Sequence, residues 1–165
     1  MRIAAIDPGP TQSALVVCET YSAGGRLPKI LEKDIMPNET VLATLGYLSY
    51  DLVLVERVAP YGQRAIGWET IETCEWGSYF HLKSGREPHS CKVTRVQVKL
   101  ALFGTTQRIT DSAIRDEIIH RYGGKETAIG KKKTPGPLYG LKADLWQAFA
   151  LIIAWPDLKQ DERTD

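Results

Sequence analysis

Three carboxylates stand in comparable places along the chain, and their types and settings suit metal-assisted chemistry on phosphate esters. Asp7 ends the apolar run Ile3-Ala4-Ala5-Ile6 and meets Pro8-Gly9, the strongest local breakers of regular structure. Glu56 ends a second apolar run, Leu52-Val53-Leu54-Val55, and Asp144 falls in the first turn of a helical pattern that carries Ala148, Leu151, Ile152 and Trp155. Taken singly, each has a simpler explanation. Asp before Pro-Gly is ordinary turn chemistry, a strand-end Glu forms surface pairs, and a first-turn Asp complements the helix dipole. Taken together, they predict a cluster of acids that repels itself unless a cation neutralises it. Oxygen-only ligation suits Mg²⁺ or Mn²⁺. Two such ions, roughly 3.5–4 Å apart, activate a water and stabilise the leaving oxygen of a phosphodiester. The chemistry predicted is that of a nuclease.

The elements around these acids predict an α/β fold. Strand one, ending at Asp7, and the β-favouring run from Ser13 to Glu19 form a hairpin, and Lys29 to Ile35, with interspersed charges, suits a sheet edge. Pro37-Asn38 opens a helix with Val41, Leu42, Leu45 and Leu48 on one side. After the strand ending at Glu56, a helix runs from near Gln63 to about Leu82, with Glu69, Glu72 and Glu75 on one side and Gly67, Ile71, Cys74 and Ser78 on another. A short strand from Ser90 to Val93 leads to Thr94 and Gln97, spaced as a capping box, and Gly104 closes the helix they open. Thr110 caps the next helix, and Gly123-Gly124 ends it. The stretch Lys125 to Gly140, with Lys131-Lys132-Lys133 and Thr134-Pro135-Gly136-Pro137, reads as a mobile basic loop, and Pro156 stops the last helix.

Composition bounds the function. A chain of 165 residues fits one domain, expected over residues 1–155, with a polar tail over 156–165. A net charge of +1 makes any basic surface local. Cys18, Cys74 and Cys91 lack metal-ligand or disulfide spacing, which suits a reducing compartment and a cytoplasmic protein. No apolar stretch approaches the roughly 18 residues of a membrane span.

Ile6-Asp7-Pro8-Gly9, Leu54-Val55-Glu56-Arg57-Val58, Val98-Lys99 followed by Phe103-Gly104, and Ala143-Asp144 resemble, in the same order, the motifs of RuvC-type Holliday junction resolvases. The resemblance spans about residues 1–155, and Pro135 to Gly140 is similar to the corresponding segment of phage-encoded members. It implies an RNase H-like fold, a mixed five-stranded sheet flanked by helices. It also implies a homodimer that cuts four-way DNA junctions by paired phosphodiester hydrolysis in recombination and repair, near the nucleoid or in a phage-infected cell. Asp7, Glu56 and Asp144 would then bind Mg²⁺, with Mn²⁺ as a substitute, and Lys99 would sit near the scissile phosphate.

Two positions depart from the family pattern. Three residues before Asp144, where a fourth acidic or histidine ligand is usual, the chain has Leu141; where an aromatic often follows the second acidic strand, it has Ala59, with Tyr61 as the candidate wedge against unstacked bases. Lys131, Lys132 and Lys133 are the expected phosphate contacts. The alternatives are a non-catalytic branched-DNA-binding protein of the same fold, or an RNase H-like nuclease acting on RNA or on other DNA branches. Asp7-Pro8-Gly9-Pro10-Thr11 also resembles the first phosphate turn of actin-like ATPases, but those clasp nucleotide between two related domains, and no second phosphate turn is found.

Overall fold

The run before Asp7 forms β1 (Arg2–Asp7), buried on both faces from Ile3 to Ile6. A strand apolar on both sides belongs at a sheet centre, and β1 lies there. β2 (Gln12–Glu19) pairs antiparallel with β1, and β3 (Lys29–Pro37) pairs antiparallel with β2. On the other side β4 (Leu52–Arg57) runs parallel to β1, and β5 (Ser90–Thr94) runs parallel to β4. The order β3-β2-β1-β4-β5 is the expected mixed five-stranded sheet, with the charged strand β3 at an edge. The computed structural model describes residues 1–20, 27–58, 66–85 and 89–161, with side chains as far as residue 158. No helix among the described residues is long and apolar enough to cross a membrane.

Helices cover both faces. α1 (Asn38–Thr44) and α2 (Trp68–Lys83) lie on one, while α3 (Arg95–Phe103), α4 (Asp111–Arg121) and α6 (Leu145–Asp161) build the larger core on the other. A short helix, α5 (Lys125–Ala128), precedes α6. Side chains alternate along a strand. Ile3, Ala5, Leu52 and Leu54 pack on the α6 side; Ala4, Ile6, Val53 and Val55 pack on the α2 side with Val41, Leu45 and Phe80. By the same alternation Asp7 and Glu56 both emerge toward α6.

Three expectations are corrected. α2 starts at Trp68 with Gly67 as its cap, so Gly67 is not on the helix; residues 63–65 lie outside the described residues. The glycine that permits close approach is Gly77, whose missing Cβ would lie 3.4 Å from Pro8 Cγ and 3.8 Å from Val55 Cγ1. Lys125 to Gly140 builds packed elements and not the expected loop. After α5, β6 (Gly130–Lys131) and β7 (Thr134–Pro135) form a small hairpin, and Leu138 is buried in the α6-side core. Here glycine marks tight packing: a Cβ on Gly136 would stand 2.3 Å from the Thr127 carbonyl oxygen and 2.4 Å from that of Ala128. Pro156 lies inside α6, which continues to Asp161 because Trp155 and Leu158 still dock on the core. A proline near a helix end forfeits a hydrogen bond, and that packing offsets the loss.

Candidate active site

The turn after β1 is fixed from beneath. The Gly9 N–H donates to Ser13 Oγ at 3.2 Å, Ser13 Oγ donates to Asn38 Oδ1 at 2.5 Å, and Asn38 Nδ2 donates to the Gly9 carbonyl at 3.0 Å. Ser13 and Asn38 are buried, so this closed ring of polar groups is satisfied internally. A Cβ on Gly9 would lie 2.3 Å from the Gln12 carbonyl oxygen, so no other residue fits that bend. The Asp7 carboxylate thus leaves a rigid platform.

Glu56 leaves a matching one. Ile6 pairs with Val55 in the parallel register, which makes Asp7 and Glu56 the next residues on adjacent strands. Their carboxyls lie close enough for each to perturb the other. Burial pushes the Asp7 carboxyl up to about 8, helped by the negative charges of Glu56 and Asp144 and opposed by Arg95. Glu56 is also raised, first by burial and then by Asp111 and Asp144, against the opposing charge of Arg95. Two buried carboxyls this close favour having only one ionised unless more positive charge than Arg95 is supplied.

Because the helix begins at Leu145, Asp144 stands in the turn immediately before α6 and not, as expected, in its first turn. It is exposed, its carbonyl accepts the N–H groups of Gln147 and Ala148 at 3.0 Å each, and Ala143 before it has a φ of 42°. Left-handed backbone is costly for alanine, so this turn holds strain where it presents Asp144. Among the described residues, no three His, Cys, Asp or Glu side chains are arranged to hold a metal ion. The Asp7–Glu56 pair is formed, and Asp144 acts on it through its charge. The donor set nevertheless fits a hard divalent cation, being three carboxylates close enough to perturb one another. One turn along α6, on Asp144's side of the helix, Gln147 buries an Oε1 with no hydrogen-bond partner.

The remaining expected residues fall as follows. Lys99 is partly exposed on α3, one turn beyond Arg95 and on the same side of the helix. Lys131, Lys132 and Lys133 are exposed at the tip of the β6–β7 hairpin. Tyr61 and Ala59 lie outside the described residues. Leu141 is packed into the α6-side core, so its position cannot present a ligand. Sequence reasoning missed Arg95, whose guanidinium reaches Glu56 Oε2 at 3.4 Å and Asp111 Oδ1 at 2.5 Å. It also missed Gln147. Neither carries a pattern signal, although the i, i+3 spacing of Asp144 and Gln147 could have suggested a shared helix side.

No protein-family model matches the chain, and no curated protein does. Solved structures do. Thermus thermophilus RuvC superposes with a TM-score of 0.68 at 18% identity, covering 98% of this chain and 97% of that one. The fold is that of RuvC. T. thermophilus RuvC in complex with a Holliday junction substrate matches with a TM-score of 0.67 at 18% identity, over 98% of this chain and 96% of that one. The Fowlpox virus resolvase in complex with Holliday junction DNA gives 0.53 at 15% identity, over 93% and 97%. The likeness to RuvC spans nearly the whole chain, sheet and flanking helices together.

Proposed function

We propose that this chain is a divalent-metal-dependent endonuclease that cuts four-way DNA junctions. The observation that carries the reading is the Asp7–Glu56 pair on adjacent parallel strand ends, charge-coupled to Asp144, in a RuvC-type fold. Structures of that fold have been solved with Holliday junctions. Asp7, Glu56 and Asp144 hold the cation, with Gln147 Oε1 one helical turn away, and Lys99 meets the scissile phosphate. Bound Mg²⁺ or Mn²⁺ supplies a metal-activated water and Lewis-acid stabilisation of the phosphodiester oxygens. Incubation with four-way, three-way and linear DNA and with RNA–DNA duplex, each with and without Mg²⁺, tests the reading. Selective metal-dependent cleavage of the four-way substrate is expected. Equal cutting of all substrates would favour a general RNase H-like nuclease. Junction binding with no cutting in either cation would favour the non-catalytic reading, which Leu141 supports because a core leucine occupies the family's fourth ligand position.

The lysines of the β6–β7 hairpin contact backbone phosphates outside the catalytic centre. Replacing Lys131, Lys132 and Lys133 together by Ala is expected to weaken binding alike for every junction sequence. In a fluorescence titration across salt concentrations, the slope should fall by up to roughly 0.9 log unit per lost contact. An unchanged slope would return the hairpin to a solvated surface.

The enzyme works as a symmetric homodimer, since a four-way junction offers two equivalent strands and one chain carries one acid cluster. α2 supplies the surface. Thr73, Gly77 and Phe80 face inward, whereas Ile71, Tyr79 and Leu82 are about half exposed, at 49%, 53% and 49%. Ile66, Ile71, Cys74, Ser78, Tyr79 and Leu82 line a groove of about 460 Å³ there. In sedimentation at micromolar concentration, the wild type should be dimeric and Ile71→Glu monomeric, because a charge buried without a partner costs several kcal/mol. A dimeric Ile71→Glu would move the interface elsewhere.

A further inference from the structure

We propose that Arg95 is a built-in counter-ion, which leans on Glu56 while no metal is bound and gives Glu56 up when a divalent cation enters. The inference rests on the metal-dependent reading above. Arg95 is the first residue of α3, directly after Thr94. The capping box fixes its backbone: Thr94 N–H donates to Gln97 Oε1 at 2.8 Å, and Gln97 N–H donates to Thr94 Oγ1 at 3.2 Å. Only the side chain is free to move.

That side chain holds its two partners unequally. Nη2 reaches Asp111 Oδ1 at 2.5 Å, whereas Nη1 lies 3.4 Å from Glu56 Oε2. Charge-assisted N–H···O bonds settle at about 2.7–2.9 Å, so the grip on Asp111 is full and the grip on Glu56 is loose. Asp111 is itself held at the start of α4, where Thr110 Oγ1 accepts the Ala113 N–H at 3.2 Å. The guanidinium is therefore anchored on an exposed acid, with side-chain exposure of 64%, and lent to a nearly enclosed one, at 11%. When a cation takes Glu56, Arg95 keeps Asp111 and no charge is stranded. Without the cation, Arg95 supplies positive charge that offsets the mutual repulsion of the two carboxyls.

The geometry predicts opposite effects on metal binding from the two ends of this bridge. In calorimetric titration of DNA-free protein with Mg²⁺ and with Mn²⁺, Arg95→Gln is expected to bind roughly fivefold more tightly than wild type, the weight of one partly exposed ion pair. Asp111→Asn should bind more weakly, because the guanidinium then turns wholly to Glu56. A control separates this exchange from a general change of field. Lys92 lines the same cavity of about 240 Å³ as Glu56, without pairing to it, and donates to Ser78 Oγ at 3.4 Å. Lys92→Gln should leave the affinity near wild type. In metal-free thermal unfolding followed by circular dichroism, Arg95→Gln should lower the Tm, and adding Glu56→Gln should recover most of the loss. An Arg95→Gln affinity equal to or below wild type overturns the proposal, as does a Lys92→Gln gain of the same size. If wild type and every variant fail to bind either cation, the metal-dependent reading fails and takes this inference with it. Wild-type binding that Arg95→Gln does not change removes the counter-ion alone.

Discussion

Asp7→Asn is expected to abolish junction cleavage, by about a thousandfold or more in rate, while leaving junction affinity the same or slightly higher. Asn keeps the shape of Asp but contributes no negative charge, so the proposed cation would lose the ligand that the rigid β1 turn holds beside Glu56. Residues that act as a unit fail as a unit, and Glu56→Gln and Asp144→Asn should therefore be similarly inactive. Affinity should survive because phosphate binding comes from lysines and arginines, and removing an acid lowers repulsion of the DNA backbone. The assay is gel mobility shift without metal, paired with cleavage in Mg²⁺, on the same four-way substrate. An Asp144→Asn protein that cuts at the wild-type rate would remove the α6 acid from the site. An Asp7→Asn protein that neither binds nor cuts would place Asp7 in folding instead.

The second large effect is on stability without metal. The Asp7 carboxyl is raised from its ordinary 3.8 to about 8 by burial and by neighbouring acids. Between these values the folded protein holds a proton that the unfolded chain has released, so stability falls as pH rises across that window. The slope approaches about 1.4 kcal/mol per pH unit for one proton. Glu56, also raised, adds to the fall. Urea unfolding in chelator at a series of pH values should show stability highest near pH 4, declining toward pH 8 and levelling above it. Asp7→Asn should flatten the curve and be the more stable protein at pH 8. Stability that climbs over the same window would contradict the burial of this pair.

What could be read from the chain, and what could not, follows from the range of each interaction. The two acid-tipped strands were legible because an apolar run that stops at a carboxylate and a breaker is a local pattern. The capping box at Thr94 and Gln97 and the left-handed Gly104, with a φ of 68°, were legible for the same reason. Arg95 was not: its role depends on the starts of α3 and α4 meeting the end of β4, a coincidence of three segments that no spacing encodes. The basic segment misled because Gly and Pro signal turns by composition, whereas Gly130 and Gly136 are required here by backbone packed against backbone. Pro156 misled because its local penalty was weighed without the docking of Leu158. Leu141 was legible as a departure from the family pattern, and its burial supplies the reason no ligand stands there.

The late position of α6 has a consequence for the timing of biosynthesis. As the ribosome releases the chain, the β1–β2 hairpin can close first and β4 can then bring Glu56 beside Asp7, but the third acid arrives only with the start of α6. The same helix carries Phe149, Leu151 and Ile152 into the core beneath those strands. Completion of the acid cluster and consolidation of that core therefore both wait for α6. A nascent chain short of Asp144 holds only two of the three acids, so the proposed metal site cannot assemble before α6 is made.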